Sequence, residues 1–172
     1  MANKEALREL QGRLAERLAA AKTQQRGKAW LAVECGARGF LFPLREAGEI
    51  FAFAPVLPVP HTHAWFLGVA NLRGHLNGVV DLAAFLGVSG TTPGRDQARL
   101  VGFNQTLDIN CALLVDRLAG LRSEEQLTAE PDAGLPRPAF VGDRYHDAAG
   151  RGWQELNLVE LAADDAFLKV VG

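Results

Sequence analysis

A chain of 172 residues, 48% apolar and 22% charged, has the length and composition of one globular unit or of two small subdomains sharing a core. Its net charge of -2, with no basic block, excludes the cationic surface that nucleic acid requires. No apolar run approaches the about 20 residues of a membrane span, and charges from Lys4 to Arg17 break any signal-peptide stretch, so a cytoplasmic protein is expected.

Residues 3 to 25 predict a helix. Asn3 can cap it, and Leu7, Leu10, Leu14, Leu18 and Ala21 recur at helical spacing, with acids and bases alternating on the other face. The stripe has to bury against something: the body of the protein is the expected cover, and a partner helix the alternative. Gly27 ends the segment.

From Ala29 the texture changes. "AWLAVEC", "GFLFPL" and "EIFAF" read as short strands separated by turn-prone "GARG" and "REAG". Three prolines in "APVLPVPHTHAW" restrict that stretch to extended or edge conformations. The next segment, "GVANLRGHLNGVVDL", predicts a hairpin with Arg73 and Gly74 at its tip. Asp81 can cap a short helix "LAAFL" that stops at Gly87. "GVSGTTPGRDQA" is a loop by composition, and "RLVGF" and "CALLV" are two further strands around "NQTLDIN". An irregular stretch, "TAEPDAGLPRP", precedes a last hairpin within "AFVGDRYHDAAGRGWQELNL". The tail "VELAADDAFLKV" predicts one helix with Asp164 and Asp165 on its wet side. Many short strands between turns indicate small β-barrels bracketed by an N-terminal and a C-terminal helix.

Enzymatic signatures are missing. The chain has no GxxxxGK[ST], no GxSxG, no GxGxxG and no CxxC pair. His61 and His63 are two ligand types without a third, which points to loop residues touching Trp65 rather than to a metal. Cys35 and Cys111 lie in apolar stretches and are expected to be buried free thiols. Asp164 and Asp165 diverge by about 100° on a helix, so they form no acid–base pair. No cofactor is implied.

That leaves Arg73. A guanidinium at a hairpin tip needs a carboxylate nearby or on a partner, and Glu49, opening "EIFAF", is a candidate neighbour. Gly74 lets the backbone turn with positive φ. Spacing alone leaves two readings open: an ordinary surface ion pair worth about 0–1 kcal/mol, or an interface residue.

"FLGVANLRGHLNGVVDLAAFLG" closely resembles the signature of CheW-like domains, an apolar strand running into Asn-Leu-Arg-Gly and then a strand ending in Asp-Leu. "GFLFPLREAGEIF", "VLPVPHTHAWFLGV" and "CALLVDRLAGL" are similar to the family's flanking segments in the same order. Two departures stand out: Gly78 where proline is common, and Ala47–Gly48 before the glutamate. The N-terminal helix, "WFLGVANLRG" and "GVVDLAAF" look more like the CheW-like proteins of type IV pilus twitching systems than like flagellar ones.

The resemblance implies a mainly β fold of two five-stranded SH3-like barrels with a shared apolar core. It divides the chain into an N-terminal helical extension, 1–26, and a CheW-like domain, 27–172. The first barrel would span about 29–77 plus a C-terminal segment, and the second about 78–150. A non-enzymatic chemotaxis scaffold is implied, coupling a methyl-accepting receptor's cytoplasmic tip to the regulatory domain of a CheA-type histidine kinase in membrane-associated arrays. Position by position, the implicated residues are Glu49, Gly68, Asn71, Arg73 and Gly74, and then Val115, Asp116 and Leu118. Alternatives are a flagellar coupling protein, or a single-interface β-module that docks through its N-terminal helix.

Overall fold

The structure is a computed structural model that describes residues 2–25, 27–88 and 95–172. Helix α1 (Ala2–Gln25) precedes β1 (Ala29–Cys35), β2 (Arg38–Pro43), β3 (Ala47–Ala52), β4 (Phe66–Leu72) and β5 (His75–Asp81). Then come α2 (Leu82–Leu86), β6 (Arg99–Phe103), β7 (Cys111–Val115), β8 (Arg117–Ser123) and β9 (Leu127–Ala129). The chain closes with β10 (Val141–Asp147), β11 (Gly152–Leu156), α3 (Leu158–Ala162) and α4 (Asp165–Leu168). The described strands form a six-stranded sheet, β8-β1-β2-β11-β10-β9, and a five-stranded sheet, β3-β6-β7-β5-β4. Neither sheet closes on itself through a strand ladder.

The mainly β, two-sheet architecture is the one expected, with one sheet of six strands instead of five because β9 adds to the edge of β10, pairing Tyr145 with Ala129. No sheet boundary falls at residues 77–78, which lie inside β5, and β5 pairs with β4 along its length, from Phe66–Val80 to Leu72–His75. Their two-residue connection leaves antiparallel neighbours in one sheet as the available arrangement. Instead, one continuous stretch from β3 to β7 builds the five-stranded sheet. The chain on both sides of it, β1–β2 and β8–β11, builds the six-stranded one.

Period-two alternation then makes three cores. On β1, Leu31, Val33 and Cys35 face one way, while Trp30 and Ala32 face the other. On β7, Cys111, Leu113 and Val115 alternate with Ala112 in the same manner. The first set from each sheet, with Phe40, Phe42, Val101 and Phe103, forms a central core between the sheets. The others fill a small interior behind each sheet: Trp30, Leu41, Tyr145 and Trp153 in one, and Ala70, Leu72, Val79 and Leu100 in the other. Each large side chain fully buried in this way contributes about 1.5–3 kcal/mol, so the central core locks the two sheets together.

The helices depart from expectation at both ends of the chain. Asp81 caps α2 through Ala84 N, and Gly87 closes it in the left-handed region, as its sequence predicts. The tail, however, is two short helices instead of one. Asp164 has extended backbone and accepts a hydrogen bond from Phe167 N at 3.0 Å, which starts α4. A continuous helix would set Phe167 about 180° from Leu158, and all of Leu158, Leu161 and Phe167 are buried. The break lets all three reach the core. At the other end, α1 does not bury its stripe on the body: Leu7, Leu10, Leu14 and Leu18 are 52–63% exposed. The side chain of Ala21 lies outside the described residues.

Candidate functional site

The tetrapeptide Asn71–Leu72–Arg73–Gly74 builds the β4–β5 turn, and each residue has its own task. Arg73 and Gly74 both have positive φ, 52° and 81°, the signature of a two-residue type I′ turn that matches the twist of the strands it joins. Asn71 Oδ1 accepts a hydrogen bond from Gly74 N at 2.8 Å, tying the turn. Leu72 is buried in the interior of its sheet and anchors the tip. A Cβ on Gly74 would meet no heavy atom within 4 Å, so its requirement is backbone conformation and not space.

Arg73 Nη1 pairs with Glu49 Oε1. Glu49 belongs to β3, at the opposite edge of the five-stranded sheet from β4, so the pair spans the gap where the curled sheet remains open. The guanidinium side chain is 73% exposed. A left-handed conformation costs a β-carbon residue about 1–2 kcal/mol, and an ion pair this exposed returns about 0–1. Stability therefore does not explain an arginine here. Phe51, His75 and Asn77 line the shallow concavity beside the pair, with Ile50 and Leu76 exposed on the adjoining strands.

Gly68 answers a different demand. It sits at a bulge in β4, with φ 139°, and a Cβ there would lie 2.1 Å from the Leu57 carbonyl oxygen. That close approach lets Leu57 and Val69 exchange two backbone hydrogen bonds, at 2.8 and 2.9 Å, covering part of the free edge of β4. Leu57 itself is left 70% exposed. The two departures from the family pattern have local causes as well. A Cβ on Gly48 would lie 2.3 Å from the Phe103 carbonyl oxygen, and Gly78 N donates to Asn110 O at 2.9 Å, a bond that proline cannot make.

The second-half residues lie elsewhere. β5 and β7 run parallel, with Gly78 opposite Cys111, so the Arg73 tip lies beyond the start of β7 and Val115 ends it. Val115 is fully buried in the central core. Asp116 accepts a hydrogen bond from Gly36 N at 2.6 Å, and its own N donates to Glu34 O. Leu118 is half-buried against the central core. The fold thus gathers Glu49, Asn71, Arg73 and Gly74 and keeps Val115, Asp116 and Leu118 at the other end of β7.

The CheW-like domain profile matches residues 29–165. The chain is 33% identical over 164 residues to Protein PilI of Pseudomonas aeruginosa, covering 92% of this chain and 88% of that protein. The chain belongs to the CheW-like family. It is also 31% identical to Chemotaxis protein CheW of Rhizobium meliloti over 108 residues, 62% of this chain and 68% of that protein. The fold matches that of the scaffolding protein TtCheW from Thermoanaerobacter tengcongensis, with a TM-score of 0.64 at 18% identity, over 77% of this chain and 85% of that one. As a CheW-like chain it is a scaffold adaptor of chemotaxis systems and not an enzyme. The match to PilI leaves too few residues over, about 8% of 172, to omit all 24 of α1.

Sequence reasoning missed one buttress of this CheW-like fold. Glu34 on β1 pairs with Arg117 at the start of β8 and with Arg151 in the β10–β11 turn. Burial pushes its pKa up, but the hydrogen bonds and charges of Arg151 and Arg117 outweigh this and hold it below the ordinary carboxylate range. No local signal links residues so far apart in sequence. The Arg151 guanidinium also lies 4.6 Å from the Trp153 ring centre, and Asp147 accepts from Trp153 Nε1 at 3.2 Å, which helps hold the Asp147 carboxyl low.

Burial pushes Cys35 and Cys111 up to about 12, so neither supplies a thiolate. His63 stacks on Trp65 with ring centres 5.4 Å apart. Among the described residues no three metal-ligating side chains cluster, and no helix is long and apolar enough to cross a membrane.

Proposed function

We propose that this chain couples the cytoplasmic tip of a methyl-accepting receptor to the regulatory domain of a CheA-type histidine kinase, in a chemosensory system that controls type IV pilus twitching. The protein acts in the cytoplasm, recruited to receptor arrays at the membrane. The observation that carries this reading is Arg73: a strained, exposed arginine whose ion pair returns no more than its conformation costs. Such a residue serves what it presents, and arginine is favoured at interface hot spots. The long match to PilI, reaching into α1, supports the pilus branch over the flagellar one.

Glu49 orients the guanidinium, Asn71 and Gly74 hold the turn, and Gly68 sets the β4 edge that displays Leu57. Asp116 and Leu118, with Val115 fixing their strand from within the core, form a second surface at the far end of β7. Two separated surfaces suit a bridge between two partners. Each contact can be modest, on the order of 1,000–1,600 Å² buried, because arrays gain strength by multivalency.

The test uses the full chain, wild type and Arg73→Glu, with matched melting curves showing that both fold. Each is titrated with a purified kinase regulatory domain and with a receptor cytoplasmic fragment from a pilus system. Loss of either binding by the variant supports the reading. Binding of both partners at wild-type affinity by the variant removes Arg73 from the interface. No binding of either partner by wild type rejects the coupling function.

A further inference from the structure

Helix α1 is a leucine seam without a cover. At about 100° per residue, Leu7, Leu10, Leu14 and Leu18 fall within an arc of roughly 80°. Their spacing of three, four and four repeats after eleven residues, close to the natural helical period, so the seam runs nearly straight along the axis. The side chains of residues 3 to 18 are all exposed, so the two-sheet body does not provide the missing surface. Gly12 in the helix interior lowers its intrinsic stability by about 1 kcal/mol relative to alanine, which leaves packing to stabilise it.

The charges are sorted. Projected down the axis, Lys4 and Arg8 border the seam on one side and Arg13 and Arg17 on the other, while Glu5, Glu9 and Glu16 gather on the opposite face. Both borders are therefore cationic. That pattern excludes a second copy as the natural occupant, because facing helices would set arginine and lysine against each other along both edges. It also separates α1 from a membrane-surface helix: the apolar arc has the width of a helix–helix seam, and the segment contains no aromatic residue to seat in the lipid interface. The complementary surface is an apolar stripe bordered by carboxylates.

We infer that α1 docks another protein's amphipathic helix, whose apolar seam is flanked by glutamate or aspartate. The inference is independent of the adaptor reading, since Arg73→Glu leaves α1 untouched and leaves the affinity tested below unchanged.

The experiment measures binding of two labelled synthetic peptides to the full chain by fluorescence anisotropy. Both carry the same leucine seam, bordered in one by glutamate and in the other by lysine. The glutamate peptide is expected to bind about ten-fold or more tightly than the lysine peptide, about 1.4 kcal/mol at least, and to weaken as salt rises. Leu14→Asp abolishes that binding, and the pair Arg13→Glu and Arg17→Glu, which makes one of the two borders acidic while Lys4 and Arg8 keep the other cationic, removes most of the preference. All these side chains are solvent-exposed, so the melting temperature of the body stays at wild type and reports intact folding. Equal affinity for both peptides overturns the inference. So does a Leu14-dependent dimer in sedimentation equilibrium without peptide, or co-sedimentation with phosphatidylglycerol vesicles in place of glutamate-peptide binding.

Discussion

Arg73 and Glu49 join the two ends of one sheet: the tip of the β4–β5 hairpin reaches across the open side to β3, at the opposite edge of the five-stranded layer. Three strands, β6, β7 and β5, lie between these edges in the sheet, and one exposed ion pair links them through space. This arrangement displays a guanidinium at a fixed place on the open side of the sheet.

Display and stability separate at position 73. Arg73→Asn creates the Asn-Gly pair that type I′ turns favour, so it relieves strain while losing a surface ion pair. Thermal unfolding is expected to show stability unchanged or raised by up to about 1 kcal/mol. Titration with the kinase regulatory domain or the receptor fragment is expected to show weaker binding. Marked destabilisation by this substitution would make Arg73 structural.

The two glycines of the hairpin differ in cost. Gly74→Ala meets open space and pays only for a positive φ, about 1 kcal/mol. Gly68→Ala drives a methyl group into the Leu57 carbonyl as well, so a loss of about 2–4 kcal/mol is expected in denaturant titrations. Equal losses would contradict the close approach of Leu57 to β4.

The Glu34 network predicts a pH dependence with a definite sign. Its folded pKa lies below the unfolded value of about 4.3, so its contribution is fully present above that pH and is lost as pH falls through the folded pKa. Glu34→Gln is expected to cost about 1–2 kcal/mol at pH 7, with the gap to wild type narrowing below about pH 4. A gap independent of pH between 7 and 3 would show that the arginines do not act through its charge.

Both thiols are expected to be silent. With Cys35 and Cys111 buried and pushed up to about 12, iodoacetamide at pH 8 labels neither in the native protein and both in urea. Native labelling within minutes would place at least one thiol at the surface.

Local chemistry was legible in the sequence. The strands from "AWLAVEC" to "CALLV" appear where alternation and turn residues put them, and Asp81 and Gly87 cap α2 as their types dictate. The Arg73–Glu49 pair was suggested by charge, since a lone guanidinium needs a partner. Strand β8, by contrast, went unrecognised: its "RLAGLRS" carries a positive-φ glycine, Gly120, that reads as a loop. The buried Glu46 was equally silent, although it accepts from Val159 N at 3.0 Å, across more than a hundred residues.

The sequence by itself determined most of the strands from β1 to β7, the turn chemistry at residues 71–74 and the family, because each rests on neighbours within a few positions or on an ordered motif. Only the tertiary structure decided which layer covers each face. β1 is apolar on both sides, and nothing in "AWLAVEC" says that Val33 meets the other sheet while Ala32 meets Trp153's side of its own. The same holds for α1. Its leucines announce a need for burial, but burial depends on a complementary surface elsewhere, and the two-sheet body does not supply one.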